Sequence, residues 1–277
     1  MYKRVLTMQD ISCLGQCSMT VALPILSACG LETCVLPTAI LSTHTGGFGE
    51  VSFRDLSAEV EQILRQWDRL EIDYDAIYTG YLGTERHVEL ALRVLKTQKA
   101  KNAVAVVDPA MADHGKLYRG LDAAYALKMR ELCAHADVLL PNVTEACMLA
   151  DVPYCPELSE AEVDRLLEKL SAKGPECIVL TGAPSRQDQC GIAVWDHGKI
   201  FRYAHERIDR NYHGTGDIFA AAFTGALMQG KSVPDAVKLA ADFTLLCAKN
   251  TAQAPVHWYG IQFETALPAL IRMLELE

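Results

Sequence analysis

The chain has 277 residues, of which 50% are hydrophobic, and it carries a formal net charge of −9. An acidic chain without a basic run is unsuited to nucleic acid or to an anionic membrane surface. The apolar stretch near Met1 is too short for a signal peptide, and no stretch approaches the roughly 20 apolar residues of a membrane helix. We therefore expect a soluble, cytoplasmic protein that binds neither nucleic acid nor membrane. No repeat or linker interrupts the sequence, which predicts one domain over residues 1–277.

Short apolar stretches alternate with stretches of helical periodicity along the chain. The predicted strands are residues 5–8, 31–37, 76–81, 103–109, 138–142, 177–181, 190–195 and 199–204. The predicted helices are residues 17–28, 55–69, 85–97, 121–134, 144–149, 160–173, 216–229, 233–249 and 261–274. A turn signal at residues 196–198 joins the last two strands in a hairpin. This alternation predicts an α/β fold, with a doubly wound, mostly parallel sheet flanked by helices.

The ten cysteines form no C-x-x-C pair and have no paired histidines nearby. That spacing argues against a zinc site, and most of the cysteines are expected to be small buried hydrophobic residues. In a cytoplasmic protein they are expected to be reduced thiols.

Polar residues follow several of the predicted strands at their carboxyl ends, where α/β sheets bind ligands. They are Asp10, Tyr81, Asp108, Asn142 and Thr181. A polar, glycine-rich loop at residues 41–49 contains His44 and Thr45 and is typical of a binding loop. His44 and Tyr81 could equally be packing residues. The agreement across separate segments favours one shared site.

The stretch Gly214-Thr215-Gly216-Asp217 stands at the start of a strongly apolar helix. The free N–H groups and the dipole of a helix N-terminus attract an anion, and the glycines allow a phosphate to approach closely. A carboxylate would repel that phosphate unless Asp217 takes a proton from a hydroxyl that attacks it. The alternative is that Asp217 only complements the helix dipole.

Asp108, Asp113 and Glu145 are candidate acids for a metal site. Carboxylates near a polyphosphate act through a metal, and Mg²⁺ prefers a few carboxylates together with water and phosphate oxygens. The alternative for each is a solvated end of a strand or helix.

Two other nucleotide motifs are excluded by their context. Residues 225–232 match a Walker A pattern, but its spacer continues an apolar helix and Gly230 is placed to end that helix. Gly214-Thr215-Gly216 lacks the third glycine of a dinucleotide fingerprint.

Four motifs occur in an order that resembles the pyridoxal kinase branch of the ribokinase superfamily. They are Thr43-His44-Thr45-Gly46, residues 108–113 (Asp-Pro-Ala-Met-Ala-Asp), residues 142–145 (Asn-Val-Thr-Glu) and residues 214–217 (Gly-Thr-Gly-Asp). The resemblance covers nearly the whole chain. It implies a ribokinase-like fold and ATP-dependent phosphorylation of the hydroxymethyl group of a B6 vitamer, usually by a homodimer. A monovalent-ion requirement stays open.

The resemblance also implies residue roles. Asp217 would be the catalytic base, with Gly214, Thr215 and Gly216 as the anion hole. Asp108 and Glu145, with Asp113, would serve Mg²⁺ and the ATP phosphates, and Asn142 and Thr181 would lie along the triphosphate. The substrate residues would be Asp10, His44, Thr45, Tyr81 and the flap residue Tyr118.

Two positions depart from the family pattern. Asp10 stands where these kinases commonly have a serine, and Ala112 stands where a glycine is usual. The first leaves the preferred vitamer open: we expect Asp10 to favour pyridoxamine if it meets the 4-substituent, and to make little difference among the vitamers if it meets the ring nitrogen. The alternative is that Asp10 turns away and bonds to the backbone N–H of Ser12 or Leu14. The second affects details of the flap.

Two other functions stay open. The nearest is hydroxymethylpyrimidine kinase of thiamine synthesis, although residues 10–17 are not the glycine-rich run typical of that branch. The other is a non-catalytic protein that binds a B6 vitamer, which would not need Asp217.

Overall fold

The computed structural model describes residues 2–208, 212–254 and 257–276. The strands are β1 (Arg4–Ser12), β2 (Glu32–Leu41), β3 (Phe53–Asp55), β4 (Ala76–Thr79), β5 (Val104–Val107), β6 (Ala112–Asp113), β7 (Lys116–Leu117), β8 (Val138–Leu139), β9 (Cys177–Ala183), β10 (Gln189–Asp196) and β11 (Lys199–Glu206). The helices are α1 (Met19–Ala28), α2 (Ser57–Arg69), α3 (Glu85–Lys99), α4 (Ala123–Cys133), α5 (Val143–Ala150), α6 (Glu160–Ser171), α7 (Thr215–Met228), α8 (Val233–Ala252) and α9 (Leu267–Met273), with a 3-10 turn at Glu264–Ala266 before α9.

The chain divides into two compact units. The first comprises Met1–Ala76 and Ile208–Glu277, as far as these are described, and the second comprises Ile77–Arg207. The expectation that residues 1–277 form one domain stays a prediction.

In the first unit, β2 lies between β1 and β3 and pairs with β1 in parallel and with β3 antiparallel. Helix α1 packs on β1 and β2 and against α7, which packs on α8. From Ile218 onward, every residue of α7 except Leu227 is buried, because the helix is apolar nearly all round. Its packing on α1 places the two helices side by side in this unit.

In the second unit the strand order is β11-β10-β9-β8-β5-β4. Strands β5, β8 and β9 are parallel, whereas β10 and β11 form an antiparallel hairpin. The hairpin turns at His197 and Gly198, which both have positive φ, as the favoured two-residue turns require. Helices α3, α5 and α6 pack on these strands. The sequence predicted this hairpin correctly.

The predicted α/β fold, with mostly parallel strands flanked by helices, is confirmed, and several element bounds are corrected. Strand β1 continues through Asp10, with an irregular register between Gln9 and Ile11, and does not end there. Helix α1 begins at Met19 and not at residue 17, because Gln16 and Ser18 both have left-handed φ. The last helix spans seven residues, Leu267–Met273, and has a proline in its first turn. The short strands β3, β6 and β7 were not predicted.

Among the described residues, no helix combines the length and apolar character that crossing a bilayer requires. All ten cysteines lie in the described part of the chain, and none is paired with another. Five of them are buried, so the expectation that most are buried hydrophobic residues holds for half.

Candidate active site

The carboxylate of Asp217 is the polar centre of the first unit. Asp217 is the third residue of α7. The helix is capped by Gly214, which has a φ of 87°. The carboxylate accepts hydrogen bonds from the backbone N–H of Ser18 and from the thiol of Cys17. Ser18 caps α1, so the negative charge lies at the N-terminus of a second helix. Asp217 therefore does more than complement the dipole of its own helix.

Burial raises the pKa of the half-buried Asp217 to about 7, and the nearby charge of Asp10 acts in the same direction. The hydrogen bonds from Ser18 and Cys17 oppose this shift because they favour the charged form. Burial also raises the pKa of the Cys17 thiol, so the thiol stays protonated and acts as a donor. A carboxylate with a pKa near 7 is suited to proton transfer at neutral pH.

Asp10 lies fully inside the first unit, with 1% of its surface exposed. The hydroxyl of Ser12 donates to its Oδ2 over 2.9 Å. Its other oxygen, Oδ1, accepts no hydrogen bond of normal geometry within the described chain, although the Ser18 hydroxyl is near enough to lower its pKa. Burial outweighs these hydroxyls and raises the pKa of Asp10 overall.

His44 is buried, and both of its ring nitrogens are occupied. Nδ1 accepts the backbone N–H of Gly46 at 3.1 Å, so Nε2 must carry the proton that it donates to the carbonyl of Tyr259 at 2.6 Å. Burial lowers the pKa of His44, which keeps the ring neutral. His44 therefore fastens the 44–49 loop to the segment around Tyr259 and can meet a ligand only through a ring face. Thr45, in the same loop, is exposed.

The ring of His44 lies between those of Phe48 and His213, with ring centroids 4.9 Å and 4.6 Å away. Phe48 continues the cluster to Trp258, and it is half-buried. This packing joins the predicted binding loop to the residue that precedes Gly214. The structure thus brings together Asp10, His44, Thr45 and residues 214–217.

In the second unit, the carboxylate of Glu145 organises the loop after β5. Its Oε1 accepts the N–H groups of Met111 at 2.9 Å and Ala112 at 3.4 Å, and its Oε2 accepts that of Asn142 at 2.9 Å. Glu145 and Asn142 form a capping box at the start of α5. Burial raises the pKa of Glu145, and the charge of Asp113 adds to the effect.

Asn142 and Thr144 complete this attachment. Asn142 Nδ2 donates to the carbonyl of Ala112 at 2.8 Å, and Thr144 Oγ1 accepts the N–H of Gly115 at 3.0 Å. The segment 111–115 carries the β6–β7 turn, so α5 holds this hairpin by its first residues. Thr181 forms a parallel bridge with Asn142, which places these two predicted phosphate residues side by side.

Asp108 is buried at the end of β5, and its Oδ1 accepts the N–H of Ala110 at 3.0 Å. Asp113 is exposed and lies 3.5 Å from the imidazole of its neighbour His114. Tyr81 is half-buried directly after β4, and Tyr118 is 36% exposed directly after β7. The second unit therefore brings Asn142, Glu145 and Thr181 together.

The three acidic residues do not make a magnesium site from protein ligands alone. Within the described chain, no group of three or more His, Cys, Asp and Glu side chains is arranged to hold a metal ion. Both oxygens of Glu145 are already bonded to backbone N–H groups. The donor set fits only a Mg²⁺ ion that takes most of its ligands from water and phosphate.

The Walker A match at residues 225–232 is not a phosphate loop. Gly225 lies inside α7, and Ser232 is the N-cap of α8. Lys231 Nζ pairs with Glu275 Oε2 at 3.0 Å on the connection between the two helices. The exclusion of this motif from its context is confirmed.

Sequence reasoning missed Cys17 and Ser18, which hold Asp217, and Thr144, which holds the β6–β7 hairpin. No sequence signal marks Cys17. Ser18 stands directly before α1, where serine is a preferred N-cap residue, and Thr144 lies within the Asn-x-x-Glu capping pattern.

The phosphomethylpyrimidine kinase family model matches residues 23–260. Pyridoxine kinase of Bacillus subtilis is 33% identical over 186 residues, which are 65% of this chain and 66% of that protein. The hydroxymethylpyrimidine/phosphomethylpyrimidine kinase of Mycobacterium tuberculosis is 28% identical over 228 residues, which are 79% of this chain and 78% of that protein.

Solved structures show the same likeness. A Bacteroides thetaiotaomicron protein assigned as a phosphomethylpyrimidine kinase, in a crystal form with pyridoxal, has a TM-score of 0.91 at 34% identity and covers 98% of this chain and 96% of its own. Pyridoxal kinase of Lactobacillus plantarum has a TM-score of 0.91 at 32% identity and covers 99% of both chains. Pyridoxal kinase of Staphylococcus aureus in complex with ADP has a TM-score of 0.77 at 28% identity and covers 90% of this chain and 89% of its own. The chain therefore belongs to the phosphomethylpyrimidine kinase family, within the ribokinase-like superfamily that includes the pyridoxal and pyridoxine kinases.

Proposed function

We propose that the protein transfers the γ-phosphoryl group of ATP to the 5′-hydroxymethyl group of a B6 vitamer. The observation that carries this proposal is Asp217, a carboxylate with a pKa of about 7 in the first turn of a helix that starts Gly-Thr-Gly. The relatives crystallised with pyridoxal and with ADP support the two substrates.

In this proposal, Asp217 takes the proton of the vitamer hydroxyl while the hydroxyl oxygen attacks the γ-phosphorus of ATP. The N–H groups of Gly214, Thr215 and Gly216 stabilise the negative charge on the transferred group. Thr45, Tyr81 and Tyr118 line the vitamer pocket, to which His44 contributes a ring face. Asn142 and Thr181 bind the triphosphate, with Asp108 and Asp113 near its Mg²⁺. The Mg²⁺ ion neutralises charge on the phosphates.

We propose an indirect role for Glu145 beside the predicted metal role, because both of its oxygens are bonded to backbone N–H groups. Its carboxylate positions the loop after Asp108, so it acts on the nucleotide through that loop. The cytoplasmic location, the homodimer and any monovalent-ion requirement stay predictions.

Hydroxymethylpyrimidine kinase is the second candidate, because the Mycobacterium tuberculosis relative is named for both hydroxymethylpyrimidine and phosphomethylpyrimidine, and the matching family model is named for the second of these. Its substrate also presents a hydroxymethyl group on a nitrogen-containing aromatic ring, so Asp217 would have the same role. The two functions differ in the shape of the ring and in the second phosphorylation that a phosphomethylpyrimidine kinase performs.

A substrate panel with ATP and Mg²⁺ tests the proposal. We expect phosphorylation of at least one of pyridoxal, pyridoxamine and pyridoxine with a kcat/KM well above that for hydroxymethylpyrimidine, measured by mass spectrometry of the product. The Asp217→Asn variant serves as the blank. A preference for hydroxymethylpyrimidine and its monophosphate would contradict the proposal and favour the second candidate function. Binding of a vitamer without ATP turnover would instead indicate a non-catalytic binding protein.

Replacing Glu145 with glutamine is expected to loosen the loop after Asp108. One of the two oxygens becomes an amide NH₂ group, which then faces the backbone N–H of Met111 or Asn142 without an acceptor. We expect faster amide hydrogen exchange in residues 110–115 and a KM for ATP raised several-fold.

Glu162→Gln is the matched control. Glu162 forms the same kind of capping box with Ser159, but at the exposed start of helix α6. It should change neither the KM for ATP nor exchange in residues 110–115. Unchanged loop exchange and an unchanged KM for ATP in Glu145→Gln would remove Glu145 from the nucleotide site.

A further inference from the structure

The segment 16–18 lies between two carboxylates of the first unit. The left-handed φ of Gln16 and Ser18 turns the chain back, so that Ser18 forms an antiparallel bridge with Ile11, the neighbour of Asp10. The hydroxyl of Ser18 acts on Asp10, and the backbone N–H of Ser18 is bonded to Asp217. One residue thus contacts both acids.

Within the described part of the chain, no cation balances this pair. Burial is the main cause of the raised pKa of both acids. The pKa of Asp10 is further shifted by the hydroxyls of Ser18 and Ser12 and by a backbone N–H, and that of Asp217 by the Ser18 N–H, the charge of Asp10 and the Cys17 thiol. Asp10 is buried, and its Oδ1 lacks a hydrogen-bond partner within the described chain. Two carboxylates that lie close together without a cation cannot both ionise easily, so ionised Asp10 makes Asp217 hold its proton more tightly.

The described helices that pack around Asp217 supply no other charge to it. Residues 19–28 of α1 include no ionisable side chain. Helix α8 carries Asp235, Lys238, Asp242 and Lys249, of which Lys238 and Asp242 pair with each other, and none of the four contributes to the pKa of Asp217. The titratable groups that do contribute are Asp10 and Cys17.

We infer that Asp10 is a positioning partner of the catalytic base: through its charge and through Ser18 it keeps Asp217 basic enough to accept a hydroxyl proton at neutral pH. This inference rests on the proposed function for its catalytic meaning. It is an alternative to the expectation that Asp10 selects the vitamer by direct contact, because Asp10 is buried and the Ser12 hydroxyl already donates to one of its oxygens.

The test is the pH dependence of kcat/KM in Asp10→Asn. Removing the charge should move the acidic limb of the profile to lower pH, by on the order of one unit. Activity at pH 6, relative to that at pH 8, should therefore rise, while the KM values and the ranking of the vitamers stay as in the wild-type protein. Asp10→Ser, which still offers a neutral hydroxyl, should behave in the same way and covers the case in which Asp10→Asn does not fold.

The control is Asp242→Asn, which removes one negative charge from α8 of the same unit and should leave the acidic limb of the pH profile in place.

A second measurement needs no activity: ¹³C NMR titration of labelled aspartate carboxyl groups, with Asp217 assigned from its asparagine variant. Its midpoint should fall in Asp10→Asn. A wild-type protein that phosphorylates no vitamer would refute the proposed function, and the NMR titration would still decide the inference. An unmoved midpoint, or altered KM values and vitamer ranking with an unmoved limb, would overturn it.

Discussion

Replacing Asp217 with asparagine is expected to lower kcat by about 10²–10⁴-fold, the usual contribution of a positioned general base. The amide has nearly the same shape as the carboxylate and its oxygen can still accept the N–H of Ser18, but it cannot take a proton. Steady-state kinetics with the best vitamer measure the loss, and calorimetry should show that nucleotide binding is kept. A variant with near wild-type kcat would mean that Asp217 only holds the start of α1.

The same pKa gives the pH dependence of the wild-type enzyme. A base must be deprotonated to act, so kcat/KM should rise with pH through about 7 and level off above it. Stability should change in the opposite direction. Because the folded protein holds the Asp217 proton up to about pH 7 and the unfolded chain loses it near pH 4, the stability contribution of Asp217 falls as pH rises through that window.

The Asp217→Asn variant does not titrate at this position, so it does not lose stability in this way as the pH rises. Its Tm relative to the wild-type protein should therefore increase between pH 4 and pH 8, which also separates lost catalysis from lost folding. A Tm well below wild type at pH 8 would instead show that the charge of Asp217 stabilises the fold.

The local parts of the site could be predicted from the sequence. The polar residue after an apolar strand, the Asn-x-x-Glu capping pattern at residues 142–145 and the glycines before an apolar helix are signals that lie within a few neighbouring residues. They located Asp108, Asn142, Glu145 and the start of α7 correctly. They did not show that both oxygens of Glu145 are used by backbone groups 30 or more residues away along the chain, or by its own capping box.

The surroundings of Asp217 depend on backbone angles and on contacts between distant segments. Gln16 and Ser18 both have a left-handed φ, which the sequence does not predict because neither is glycine. The turn at residues 16–18 brings Ser18 to Asp217. His44 was assigned by residue type, and only the Gly46 and Tyr259 contacts reveal that its nitrogens are engaged. Tertiary packing determines these backbone angles and hydrogen-bond partners, so the hydrophobic periodicity of the sequence cannot predict them.

Gly214 is the residue of the anion hole that the backbone constrains most. Its φ of 87° is left-handed, and a Cβ at this position would collide with the carbonyl oxygen of Gln16, a backbone atom that cannot rotate away. The same carbonyl belongs to the turn that delivers Cys17 and Ser18 to Asp217. Any displacement of Gly214 therefore moves the start of α7 against the groups that hold the base.

Gly214→Ala is expected to lower kcat/KM by at least a hundredfold and to destabilise the protein by more than about 2 kcal/mol, since left-handed strain costs roughly 1–2 kcal/mol and the collision adds to it. Gly230→Ala isolates the strain: its φ is 84°, but a Cβ there meets nothing within 4 Å, so it should lose stability and keep kcat/KM. Gly216→Ala isolates the phosphate site, because its Cβ also enters open space and alanine favours the helix. It should keep or raise the Tm while reducing kcat/KM. Activity assays and thermal melts on the three variants separate backbone strain, collision with Gln16 and obstruction of the phosphate site. If Gly214→Ala and Gly230→Ala lose kcat/KM and stability equally, the contact with Gln16 does not affect the base.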